Sequence, residues 1–83
     1  MMNKADILEL IARCAREIVP GLEAHVFTES DQLAELGANS LDRAEITMMV
    51  QESLALAIPR IELSGPKNIG DLAELFFAKL KHA

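Results

Sequence analysis

The chain reads as all-α, a small four-helix bundle of three main helices and a short third one. Three observations carry this. Apolar residues recur three and four apart in three separate segments, the spacing of one face of a helix. Proline and glycine punctuate the stretches between them, at Pro20-Gly21, Gly37, Pro59 and Gly65-Pro66. Eighty-three residues, 51% of them hydrophobic, suffice for one small core without disulfides or a structural metal, so residues 1–83 are expected to form a single domain.

The first helix is predicted over Asn3 to Val19. Asn3 can cap it, Asp6 sits in its first turn, and Ile7, Ile11, Cys14 and Ile18 recur at i, i+4, i+7 and i+11. Leu8, Leu10, Ala15 and Val19 widen the stripe, and Pro20-Gly21 ends it. Cys14 falls on the apolar face and reads as a small core residue. A long connection follows to about Gly37, with Leu22, Val26, Phe27, Leu33 and Leu36 as apolar anchors. Loops this long in compact domains are packed or functional. His25 lies in it without a second histidine or an acidic cluster at ligand spacing, so a surface or packing role is expected and no metal.

The second helix is predicted from about Leu41 to Leu56, opening on Ser40, which has the chemistry of an N-cap. At about 100° per residue, Ile46, Val50 and Leu54 share the core sector. Leu41, Glu45, Met48 and Glu52 fall together on the far side, next to Ser40, and Met49 also lies off the core sector. Two apolar side chains among acids make a docking surface, grip from the first and orientation from the second. Ala57 to Asn68 is irregular, with a short helical turn around Arg60 to Leu63 and with Ile58, Ile61 and Leu63 available to close the core. The last helix is predicted over Ile69 to Lys81, capped by Asn68, with Ile69, Leu72, Leu75, Phe76 and Leu80 facing inward. Ile7, Ile11, Cys14, Ile46, Val50, Leu54, Leu72 and Phe76 are the expected buried set.

Bulk properties exclude several functions. A net charge of −5 argues against nucleic acid, whose phosphates it would repel, and favours basic protein partners. No stretch approaches a transmembrane helix, and the N-terminus lacks the continuous apolar run of a signal peptide, so no membrane role is expected. One cysteine fits a reducing, cytoplasmic setting. A nucleophilic Ser40 would need a base within reach, yet the histidines are only His25 and the penultimate His82, and no G-x-S-x-G elbow is present. The chain therefore does not read as an enzyme.

What Ser40 offers is an exposed hydroxyl at a helix start, where free N–H groups and dipole potential favour an attached phosphate. The surrounding LGANSLD resembles the LGxDSLD signature of acyl carrier proteins, whose serine carries 4′-phosphopantetheine. Ile58-Pro59 matches that family's IP after the second helix, and Asn68-Ile69-Gly70-Asp71-Leu72 resembles the TVGDA that opens its last helix. The match runs from about Leu33 to the C-terminus. The resemblance implies a four-helix bundle of acyl-carrier type and a phosphopantetheine arm on Ser40, with Asn39 and Leu41 flanking the attachment site. It also implies partner docking through the second helix, to which Leu41, Asp42, Glu45, Met48, Met49 and Glu52 are assigned.

One position departs from the pattern. Asn39 stands where the family has an aspartate associated with recognition by the phosphopantetheinyl transferase, keeping shape and an acceptor oxygen but not the charge.

GANSLDRAEI is similar to free-standing donor carriers of polyketide β-branching cassettes, and the dense acid run of fatty-acid carriers late in the second helix is absent. That resemblance implies an acetyl group, made from malonyl on the same arm by a ketosynthase-like decarboxylase and passed to an HMG-synthase-like enzyme. An acyltransferase is the further partner implied. Met1 and the lack of a linker at either end fit a free-standing carrier. A fatty-acid or other polyketide-synthase carrier, or an unmodified helical interaction module of the same fold, are the alternatives.

Overall fold

Asn-x-x-Asp opens each of the three long helices. In the computed structural model, which describes residues 2–82, these are α1 (Lys4–Ile18), α2 (Ser40–Leu54) and α4 (Ile69–Lys81), with a one-turn α3 (Arg60–Leu63) before the last. Asn3, Asn39 and Asn68 are the N-caps, each accepting the backbone N–H of the aspartate three residues on. At α1 and α2 the aspartate carboxylate returns the bond to the cap's own N–H, so two of the four orphan donors at each start are satisfied reciprocally. No strand occurs among the described residues. Met1 and Ala83, the ends of the expected domain, lie outside them.

α1 packs against both α2 and α4. Ile7, Ile11, Ile46, Val50, Ile69 and Phe76 are the largest fully buried side chains of the core between them, and Cys14 and Leu72 join them. Burial pushes the Cys14 thiol up, with Glu17 adding to the shift, so the sulfur acts as a small apolar group. Leu54 is half-buried where full burial was expected, as is Ile18 of the α1 stripe. Leu54 stands in the last turn of α2, where the core opens toward solvent.

α2 stops two residues earlier than its apolar pattern continues. Ala55 takes the left-handed conformation (φ 55°, ψ 42°). The N–H of Leu56 reaches back to the Gln51 carbonyl at 2.8 Å and that of Ala55 to Glu52 at 3.2 Å, a Schellman closure. The Gln51 carboxamide then accepts from the Ile58 N–H at 2.8 Å, which turns the chain toward α3.

The long connection packs rather than wanders. The Cα radius of gyration is 11.6 Å, close to the roughly 12 Å of a compact chain this long. Leu22 and Leu33 are buried, and the carbonyls of Glu29 and Asp31 receive the N–H groups of Gly70 and Ile69, each at 2.9 Å. Gly70 allows this approach, since a Cβ there would meet the Glu29 backbone oxygen at 2.9 Å. His25 has a packing role: its ring bonds the Asp31 carboxylate at 3.0 Å and stands edge-on to Phe27, over whose face Arg16 lies. The bond from the Thr28 N–H, helped by His25, holds the Asp31 carboxyl below its ordinary range. This tie is therefore complete above the usual aspartate pKa and lost as pH falls through the lowered value. Two expected anchors fail. Val26 and Ile61 are each 81% exposed, because neither an irregular loop nor a one-turn helix such as α3 has a repeating phase that turns a given apolar residue inward.

Candidate functional site

The site is the start of α2 and the clefts beside it. Gly37, at φ +102°, completes the turn that brings the chain to the helix. Ala38, 3% exposed, anchors it in the core. Asn39 rather than Ser40 is the N-cap: both residue types cap helices, but only Asn39 has Asp42 at the third helical position to close a box. Ser40 is thereby the first residue of the helix, exposed, with its hydroxyl free of hydrogen bonds among the described residues.

The N–H groups of Ser40 and Leu41 have no partner among the described residues, while those of Asn39 and Asp42 are used by the box. Two free donors and the positive end of a 15-residue helix thus stand at the base of the Ser40 side chain. A phosphate ester on Ser40 fits these groups.

The residues assigned to docking divide into two sets. Leu41 (68% exposed), Met48 (58%), Glu45 and Glu52 stand in solvent. α2 shows no single apolar stripe, in contrast to α1, because these side chains face away from the buried Ile46 and Val50. Asp42 and Met49 are only half exposed. The Asp42 carboxylate is engaged in the capping box and Met49 packs against the core, so neither is presented to a partner as openly as the first four.

The cleft between α2 and α3 is lined by Ser40 itself together with Arg43, Thr47, Met48, Gln51 and Arg60, and has a volume of about 450 Å³. Sequence reasoning had not placed Arg43, Arg60, Thr47 or Gln51 here. Arg43 carried a signal, since it lies three residues after Ser40 and so on the same side of the helix. Arg60 carried none, because its position depends on the bend that Gln51 and Ala55 impose.

The box makes the role of Asn39 measurable. Asn39→Ala removes the cap and is expected to cost about 1 kcal/mol, a fall in Tm of roughly 4–8 °C for a domain this small. Asn39→Asp retains the acceptor and should leave Tm within a degree or two of the parent by about the same scale. Thermal unfolding followed by circular dichroism checks both.

Comparison with known proteins accords with this geometry. The family model for the phosphopantetheine attachment site matches residues 7–76. The polyketide biosynthesis acyl-carrier-protein AcpK of Bacillus subtilis (strain 168) is 54% identical over 82 residues, covering 99% of this chain and all of that protein. An acyl carrier protein of Clostridium perfringens (strain 13 / Type A) is 38% identical over 52 residues, 63% of this chain and 68% of the other. Among solved structures, that of the curacin biosynthetic pathway HMG synthase in complex with acetyl donor-ACP contains a chain that superposes with a TM-score of 0.87. The two are 53% identical, and the match covers 93% of this chain and 99% of that one.

Proposed function

From the premise that the chain belongs to the acyl carrier proteins, the family of the phosphopantetheine attachment site, we propose that residues 1–83 form one carrier domain whose Ser40 bears the arm and that it donates acetyl groups in polyketide β-branching. The arm, when attached, supplies a thiol that holds the acyl group as a thioester. The chain's own residues supply the rest. Ser40 is a fixed point of attachment, and the unpartnered Ser40 and Leu41 N–H groups would hold the phosphate of the arm. The exposed face of α2 tells a partner where the arm is.

The observation that carries the reading is the free, exposed Ser40 hydroxyl at the first position of α2, seated in a motif of the attachment family. The β-branching assignment draws on AcpK and on the curacin acetyl donor, each more than 50% identical to this chain. The partners are then a phosphopantetheinyl transferase, an acyltransferase, a ketosynthase-like decarboxylase and an HMG-synthase-like enzyme. Among the described residues no helix is long and apolar enough to cross a membrane.

Leu41 and Met48 provide the apolar grip of the docking face, flanked by Glu45 and Glu52. Fully burying such a side chain is worth about 1.5–3 kcal/mol, or roughly 10- to 100-fold in affinity. Met48→Ala and Leu41→Ala should accordingly slow single-turnover acetyl transfer to the HMG-synthase-like partner, and more than Glu52→Gln does. Glu45→Lys should slow association in a manner partly masked by salt. Melting temperatures should hold throughout, since these side chains leave the core untouched. Unchanged transfer in the Leu41 and Met48 variants would move recognition to the Pro20–Gly37 loop or the Pro59–Asn68 segment, where Val26 and Ile61 stand exposed.

A further inference from the structure

The cleft beside Ser40 continues into a second one of about 420 Å³ that reaches Lys67 and the start of α4. The two share Arg43, Thr47, Leu63 and Ser64, so they form one trough. Its charge is anomalous for this protein. The chain has 13 acidic residues against 8 lysines and arginines, yet no aspartate or glutamate lines either half, whereas Arg43, Arg60 and Lys67 all do. Among the described residues none of these three has an acidic partner within salt-bridge distance. Glu62, the one acid of α3, is drawn away to Lys79 of α4 at 2.7 Å. Arg43 spends a single guanidinium N–H on the Ala38 carbonyl, at 2.9 Å, and so stays fixed with donors to spare.

Uncompensated arginines in a concave site call for an anion, and their planar forks match a carboxylate or phosphate in bidentate fashion. The α2 wall runs from Ser40 to Gln51, about 16 Å at the helical rise. An arm on Ser40 can lie along it and set its far end against Arg60. We propose that this trough receives the free carboxylate of the acyl group, so that the carrier holds monothioesters of dicarboxylic acids such as malonyl, folded against α2 and α3. The proposal rests on Ser40 bearing the arm.

It gives decarboxylation a second consequence. When a partner decarboxylase breaks the bond between the carboxylate carbon and the α-carbon, CO2 departs and the electron pair remains on the thioester as its enolate. A proton then completes the methyl group. The acyl group thereby loses the charge that the arginines hold, and the arm is released for transfer.

The test loads the 15N-labelled full chain through the transferase with CoA, acetyl-CoA or malonyl-CoA and compares arginine Nε–Hε signals and the Thr47, Leu63 and Ser64 amides. The expected result is a shift at Arg43, Arg60 and these amides in the malonyl form alone, most of it lost in Arg60→Gln, whose parent side chain is exposed and has no ion pair among the described residues. Identical acetyl and malonyl spectra would overturn the proposal. Equal shifts in all three forms would do so too, by assigning the cations to the phosphate of the arm. An Arg60→Gln variant that slows acetyl transfer with no malonyl-specific shift would turn the arginines toward acids of a partner protein, also overturning it. Intact mass separates the underlying failure, since a protein that takes up no arm at Ser40 sinks the carrier reading and the trough with it.

Discussion

Ser40→Ala is expected to leave a folded protein that carries nothing. After incubation with CoA, Mg²⁺ and a phosphopantetheinyl transferase its mass should remain that of the polypeptide, and acyl transfer to any partner should fall to background. The fold should survive because the hydroxyl makes no hydrogen bond among the described residues and the cap of α2 belongs to Asn39. Alanine is moreover the best helix former at an exposed helical position. A far-ultraviolet spectrum and Tm matching the parent, with no gain of mass, is the outcome. If the alanine variant still gains an arm, the attachment residue is Ser30, Ser53 or Ser64, and the function of the α2 N-terminus has been misread.

The second large effect is on stability. Phe76 is fully buried at the centre of the core, and Phe76→Ala should cost about 3–5 kcal/mol in lost burial and residual cavity. An 83-residue chain has a total stability of only about 4–12 kcal/mol at the usual 0.05–0.15 kcal/mol per residue. The variant is therefore expected to be largely unfolded near physiological temperature, with its urea midpoint lowered or its transition lost. A loss below about 0.5 kcal/mol, the level of an ordinary surface change, would mean that the α1–α4 packing is looser than described.

The contrast between these two residues shows what could be read from the chain before its structure. α1 and α4 are legible because their apolar residues keep phase over many turns and their caps are asparagines followed by aspartate. The same four-residue pattern at Asn39–Asp42 identifies the cap of α2, and Ser40, a capping residue type one position further on, masks it. The end of α2 was hidden for a different reason. Ala55 adopts a left-handed conformation usually left to glycine, and nothing local announces it. The bend follows from Gln51 reaching both the Thr47 carbonyl and the Ile58 N–H, a tertiary arrangement.

Val26 and Ile61 mark the same boundary. Hydrophobicity alone assigned them to the core, but in segments without a period it cannot say which way a side chain points. The attachment motif was legible as a pattern of residues. The cationic trough was not, since Arg60 and Lys67 come to line the clefts beside Arg43 only once the segment carrying α3 has folded back along α2.

The assignment to β-branching rather than chain elongation is tested most directly by competition. The unmutated protein, loaded with radiolabelled acetyl on its arm, is offered in a single turnover to an HMG-synthase-like enzyme and to an elongating ketosynthase together. Label should leave the carrier for the HMG-synthase-like enzyme first, and Met48→Ala should slow this step. Label passing to the ketosynthase while the HMG-synthase-like enzyme stays unlabelled would contradict the assignment to β-branching.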